Sequence, residues 1–177
     1  GVEWKYVGGN TVILSFILEK ATGVSASQYM SEKVWQPVGA KNNALWTLDH
    51  KGGRERAFCC FYASARDFAR VGRIYLNEGR WNNQQLVTGK YIEASTSSAY
   101  NLKNKNGQPV DYYGYHIWLT YYKNIDIFYA RGIQGQYIIM IPEKDIVIVR
   151  LGRERGAKLE NHHTSDLYTY IDFALQL

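Results

Sequence analysis

The sequence predicts an α/β (α+β) protein, with helices over the first hundred residues, then an antiparallel sheet and a closing helix. Three observations carry this. Apolar residues recur at helical spacing in segments beginning at Asn10, Ser25 and Ser64. From Tyr112 onward the pattern changes to short β-branched and aromatic runs joined by turn residues. With 46% hydrophobic residues in 177, the chain holds enough apolar surface for one substantial core.

Taken in order, Val12, Ile13, Leu14, Phe16, Ile17, Leu18 and Ala21 leave Thr11, Ser15, Glu19 and Thr22 on a polar strip, with Asn10 as expected cap and Gly23 as terminator. The second helix has capping-box spacing at Ser25 and Gln28 and is stopped by Pro37 and Gly39. Residues 40–61 read as irregular, with a turn at Lys51-Gly52-Gly53-Arg54. Ser64 and Asp67 open a third helix that Gly79 ends, and a short helix follows around Tyr91 to Ser97. Residues 101–111 form a polar loop by composition.

The runs YYGYHIWLTYYK, DIFYARGI, QYIIMIPEKD and DIVIVRLG read as strands, and Pro142 to Asp145 reads as a tight link between two strands apolar on both faces. Such strands are expected to be central and covered. The closing helix offers Leu167, Tyr168, Ile171, Phe173 and Leu175 to the sheet. A sheet of three or four strands with one cover helix leaves a face and an edge open, so partners are expected upstream of the chain.

Composition narrows the function. The +5 net charge is spread among acids, as in LGRERGAKLE, and no helix-turn-helix, zinc-finger or RNP-like pattern accompanies it, which disfavours nucleic acid as partner. No apolar run is long enough for a membrane span. The 15 Tyr and 5 Trp point to a core or cleft lined by amphipathic rings. Cys59 and Cys60 are adjacent, poorly spaced for an ordinary structural disulfide, and read as buried thiols; with the four histidines they form no metal-ligand spacing.

Three motifs together resemble a known family. Tyr6-Val7-Gly8-Gly9-Asn10 precedes a helix ending in ILEKATG; a second helix ends in WQPVGA; the run YASARDFARVGRIYLNEGRW follows. Over essentially the whole chain this resembles the serine β-lactamase-like superfamily of penicillin-recognising hydrolases, in particular class C β-lactamases, carboxylesterases and 6-aminohexanoate-dimer hydrolases. The resemblance implies a β-lactamase/transpeptidase-like fold, an antiparallel sheet covered by helices with an adjoining helical region. Residues 1–177 would be the C-terminal portion of one such domain, with 1–100 mostly helical and 110–177 holding the strands and last helix.

The family's mechanism needs Ser-x-x-Lys, in which the lysine helps to deprotonate a nucleophilic serine. No serine of this chain has a lysine three residues on. By the resemblance that element lies upstream, and the missing N-terminal segment of the same fold is the expected partner.

Tyr6 matches the family's tyrosine, a phenol that a nearby ammonium makes competent to shuttle protons. Gly8 stands where class C enzymes carry a substrate-contacting asparagine. The stretch Ala130-Arg131-Gly132-Ile133-Gln134 replaces Lys-Thr-Gly. By the resemblance Gly132 permits close approach and the Ile133 N–H faces a developing oxyanion. Arg131 and Gln134 flank that position, and Trp118 is expected to wall an acyl pocket, with His116 on the same strand face.

The resemblance therefore implies a serine hydrolase that acts on a small ester or amide through an acyl-enzyme and uses no metal or organic cofactor. With Lys-Thr-Gly and the asparagine both altered, an esterase or amide hydrolase is preferred over a β-lactamase. Two alternatives stand beside it: a catalytically silent family member that binds peptide or cell wall, and a natural stand-alone unit.

Overall fold

The computed structural model describes residues 2–98 and 102–177, so Asn101, first in the predicted polar loop, lies outside it. The chain divides into two compact units, Lys5–Val71 and Gly72–Leu177, the second also taking in the chain up to Trp4.

In the Lys5–Val71 unit, α1 spans Gly8–Thr22 and ends on Gly23, whose left-handed backbone (φ 77°) lets its N–H reach the Glu19 carbonyl. The predicted Asn10 cap is not used. Val7 in extended conformation is the N-cap, and the helix starts two residues before Asn10, through Gly8 and Gly9. The expected apolar face is not buried either. No residue of α1 is buried, and Phe16 and Ile17 are 46% and 58% exposed.

Helix α2 (Ala26–Met30) is capped by the Ser25 hydroxyl, which accepts from the Gln28 N–H at 3.2 Å. It continues as a wider π turn over Ser31–Trp35, which buries Trp35 and lets its indole donate to the Asn42 carbonyl at 2.9 Å. Strands β1 (Leu45–Trp46) and β2 (Phe61–Tyr62) form an antiparallel pair. Trp35, Trp46 and Phe68 each meet the Phe61 ring edge-on.

Helix α3 (Ala65–Leu76) starts as predicted at Ser64 and Asp67. The Asp67 carboxylate is fully buried and accepts from the Ser64 hydroxyl (2.7 Å), the Lys41 and Asn42 N–H groups (2.9 and 3.3 Å) and Arg70 (2.9 Å). Burial alone raises its pKa, but the donors from Lys41, Ser64 and Asn42 outweigh that and hold it at about 2. This carboxylate ties the loop after the π turn to the start of α3.

In the Gly72–Leu177 unit, a small hairpin of β3 (Arg80–Trp81) and β4 (Gln84–Gln85) precedes α4 (Gly89–Ser95), which starts and stops two residues before the predicted helix because Thr88 caps it. Four strands follow: β5 (Trp118–Tyr122), β6 (Ile125–Arg131), β7 (Tyr137–Ile141) and β8 (Ile146–Arg150). They pair antiparallel in sequence order. Between Tyr122 and Ile125 the turn is two residues, Lys123 and Asn124, both with positive φ, the mirror-image geometry that matches the twist of paired strands.

Pro142–Lys144 is one 3₁₀ turn closed by Asp145 in left-handed conformation, the predicted tight link. Of the two strands that it joins, only β7 is buried on both faces; β8 is half-buried throughout and, among the described residues, is an edge strand.

On one sheet face Ile125, Ile127, Tyr129, Tyr137, Ile139 and Ile141 pack with Leu167, Ile171 and Ala174 of α5 (Ser165–Ala174). The expected contribution of Phe173 is absent; it is 66% exposed on the far side of α5. On the other face Gly72 of α3 lies so near the sheet that a Cβ there would stand 2.7 Å from Val147 and 3.0 Å from Ile138. His116 is not on a strand with Trp118: it occupies a turn with φ 60°.

Candidate active site

Strand β6 ends at Arg131, and the chain turns through Gly132-Ile133-Gln134-Gly135 before β7. The Gln136 side chain organises this turn. Its Oε1 accepts from the Gln134 N–H at 3.2 Å and its Nε2 donates to the Gly152 carbonyl at 2.6 Å, while the Gly132 N–H donates to the Gln136 carbonyl at 2.8 Å. A side chain at Gly132 has no room, because its Cβ would lie 2.2 Å from Gln136 Oε1. Gly135 takes φ 76°, and a Cβ there would meet Arg150 at 2.3 Å.

Arg150 grips the turn from behind. Its Nη1 donates to the carbonyls of Gly135 (2.5 Å) and Glu154 (2.7 Å), and Asp166 lies 4.0 Å away. Asp166 also accepts from the Tyr137 hydroxyl at 3.0 Å. Burial raises the Asp166 pKa, but the donors from Thr164, Gly156 and Tyr137 win and lower it, so a carboxylate faces the guanidinium. No local sequence pattern marks Gln136 or Arg150. Their role depends on strand pairing, which brings position 150 opposite position 137.

This scaffold leaves Ile133 at the apex, 83% exposed. Its N–H has no protein acceptor among the described residues. An N–H that has no protein acceptor, on an exposed turn braced from both sides, can donate to an anionic oxygen with little rearrangement.

Arg131 is held in place. Its guanidinium lies 3.5 Å from the Trp118 ring centroid, and Nη1 donates to the His162 carbonyl at 2.9 Å. Trp118 itself is 5% exposed and meets the rings of Trp4, Tyr112 and Tyr113, so it is a core residue that supports Arg131 from below. Behind it Tyr129 O–H and His163 Nδ1 are 2.7 Å apart. Burial, with Arg131 and His162 adding to it, lowers the His163 pKa to about 4, so the imidazole is neutral at neutral pH. Burial raises the pKa of Tyr129, which stays protonated and donates.

Tyr6 and Gly8 belong to the other unit. Tyr6 is 60% exposed and precedes the first turn of α1. Gly8 opens that turn, and a Cβ there would lie 3.1 Å from Phe58 Cβ, tight enough that the ring would have to move. Cys59 and Cys60, beside Phe58, are not buried thiols as expected but a disulfide between adjacent residues. Left-handed backbone at Cys60 (φ 68°) accommodates it.

The Beta-lactamase family model matches residues 1–165. The 6-aminohexanoate-dimer hydrolase of Paenarthrobacter ureafaciens is 28% identical over 156 residues, which are 84% of this chain and 39% of that protein. A solved Bacillus anthracis structure described as a 6-aminohexanoate-dimer hydrolase superposes with TM-score 0.83 at 27% identity, covering 99% of this chain and 45% of that one. A Bacteroides dorei structure described as a β-lactamase has TM-score 0.77 at 14% identity over 99% of this chain and 59% of that one, a likeness of fold alone. The chain thus spans less than half the length of each of these two 6-aminohexanoate-dimer hydrolase matches. With the family model covering nearly all of it, and an antiparallel sheet covered by helices in place, the chain belongs to the β-lactamase family.

Proposed function

We propose that this chain is the C-terminal portion of a single β-lactamase-like domain, that of a serine hydrolase cleaving a small ester or amide through an acyl-enzyme. The observation that carries the reading is the braced turn after β6, with Ile133 exposed and its N–H without a protein acceptor among the described residues. The serine and lysine come from the missing N-terminal segment of the same fold, since this sequence holds no Ser-x-x-Lys. Two further observations agree: α1 leaves Ile13, Leu14 and Ile17 half or more exposed, and among the described residues β8 is an edge strand.

In this mechanism the serine oxygen attacks the substrate carbonyl while the Tyr6 oxygen takes the serine proton and then passes it to the leaving group. The Ile133 N–H, with the serine's own N–H, receives the oxyanion, a contribution of about 3 kcal/mol per donor. Gly132, lacking a side chain, lets the Gln136 amide close against the turn that presents this N–H. Gly8 gives Phe58 its seat two residues from the phenol, and Gln134 lines the rim.

Arg131, fixed on Trp118, offers its remaining N–H groups to a substrate carboxylate or amide oxygen. Trp118 then acts through Arg131 instead of touching the acyl group. A Gly-Ile pair in place of Lys-Thr-Gly favours an ester or linear amide over a β-lactam.

The test is a full-length protein carrying these residues. A burst of p-nitrophenol from an ester, and fluorophosphonate labelling of one serine upstream of Gly1, are expected. Absence of both would replace the enzyme reading with that of a silent binding module. Tyr6→Phe should lower kcat by about 10²-fold or more with KM little changed.

A further inference from the structure

The hydrolase reading leaves the adjacent cysteines unused. A disulfide between neighbours closes almost no chain, so the loop-entropy effect by which a disulfide stabilises a fold is all but absent. What the bond fixes is the Cys59–Cys60 peptide itself, in a small ring with Cys60 in the left-handed region that side-chain-bearing residues rarely adopt.

This peptide is wired into its surroundings on both sides. The Thr47 N–H donates to the Cys60 carbonyl and the Trp46 indole to the Cys59 carbonyl, each at 3.0 Å. On the other side Phe58 packs on Gly8 at the first turn of α1. Arg54 pairs with Glu19 at 2.7 Å and covers the Phe16 ring at 4.9 Å. Residues 54–60 therefore form a strap along α1 that ends beside Gly8, two residues from Tyr6, all within the Lys5–Val71 unit. Both cysteines are half-buried, within reach of a small reductant.

We propose that Cys59–Cys60 is a redox-modification site, a thiol–disulfide couple whose state is transmitted through Phe58 to the Gly8 turn and so to Tyr6. Its consequence for catalysis rests on the role given above to Tyr6. The exchange partner is a small dithiol. One of its thiolates attacks a sulfur of the pair, giving a mixed disulfide and one cysteine thiolate; its second thiolate then displaces the other cysteine. The reductant leaves as a cyclic disulfide, and the pair gains two electrons and two protons. With the ring open Cys60 relaxes toward negative φ, and Phe58, two residues away, loses its seat on Gly8.

The test compares the full-length protein, oxidised or treated with dithiothreitol, with the Cys59→Ser/Cys60→Ser variant. Both cysteines should resist alkylation until reductant is added. Reduction should speed amide hydrogen exchange over residues 5–10 by about ten-fold and leave β6 and β7 unchanged. The double variant should exchange at the reduced rate under both conditions; should it fail to fold, reduced and alkylated wild type replaces it.

Alkylation before reduction would overturn the proposal, as would exchange over residues 5–10 that agrees within about two-fold in both states. Ester hydrolysis by the same samples separates the two readings. Redox-dependent exchange with no hydrolysis in either state refutes the catalytic role of Tyr6 and leaves the coupling standing. Hydrolysis with redox-independent exchange refutes the coupling.

Discussion

Acidification from neutral pH to about 4 should weaken the Gly72–Leu177 unit through one side chain, His163. Burial, reinforced by Arg131 and His162, places its folded-state pKa at about 4 against an ordinary 6.5. Between those values the unfolded chain binds a proton that the folded chain refuses, so stability rises with pH across the window. The contribution is complete above about 6.5 and declines as pH falls through the window. A gap of about 2.5 pH units at about 1.4 kcal/mol each makes it roughly 3.5 kcal/mol.

The comparison that isolates this effect is His163→Asn, whose Oδ1 takes the place of Nδ1 and can still accept from the Tyr129 hydroxyl. Equilibrium urea unfolding of both proteins across the pH range is the assay. The variant should be less stable at neutral pH by about 1–2 kcal/mol from lost packing, yet nearly equal or superior at pH about 4. Parallel pH profiles for wild type and variant would refute the reasoning, because they would mean that His163 binds its proton alike in the folded and unfolded chains.

Three further outcomes follow from the same contacts. Gly132→Ala should force the Gln136 amide away and lower kcat/KM for an ester substrate by about 10–100-fold, with a loss of no more than about 2 kcal/mol in urea unfolding. Arg150→Gln should loosen the turn that presents Ile133 and reduce kcat more than it raises KM, as steady-state kinetics will show. Asp67→Asn should cost about 2–3 kcal/mol at neutral pH. The depressed Asp67 pKa gives a contribution present above about 3.8 and lost as pH falls through about 2, and the variant's urea-unfolding profile should lack it.

What could be read in the residues was what depends on near neighbours. Gly23, Ser25, Ser64 with Asp67, and the Pro142–Asp145 link act within four residues of themselves, and all four stand as expected. Asn10 failed as a cap because two glycines ahead of it can extend the helix, a choice that cap propensity does not decide. Among the described residues β8 stands at the sheet edge and not in its centre, because apolar composition reports that a strand is to be covered and not which neighbour covers it.

Around the candidate site, the residue types were legible and their supports were not. The Arg131–Trp118 stack, the Gln136 amide on Gly152 and the Arg150 grip on Gly135 join positions 13 to 16 apart through strand register, which no local pattern encodes. The cysteine bond is hidden in the sequence because adjacency excludes an ordinary staple, and the left-handed backbone at Cys60 that accommodates the bond has no local signal.

The sheet pairs only strands that follow one another, across turns of two to five residues. Each pairing closes a very short loop, so little chain entropy is spent before contacts form, and topology of this kind folds quickly. The β5–β8 meander is therefore suited to form early, kinetically ahead of any strand that must come to the β8 edge from far away in sequence. In the full-length domain proposed above, assembly then has a fixed order in time, a fast template first and a slow docking step after it.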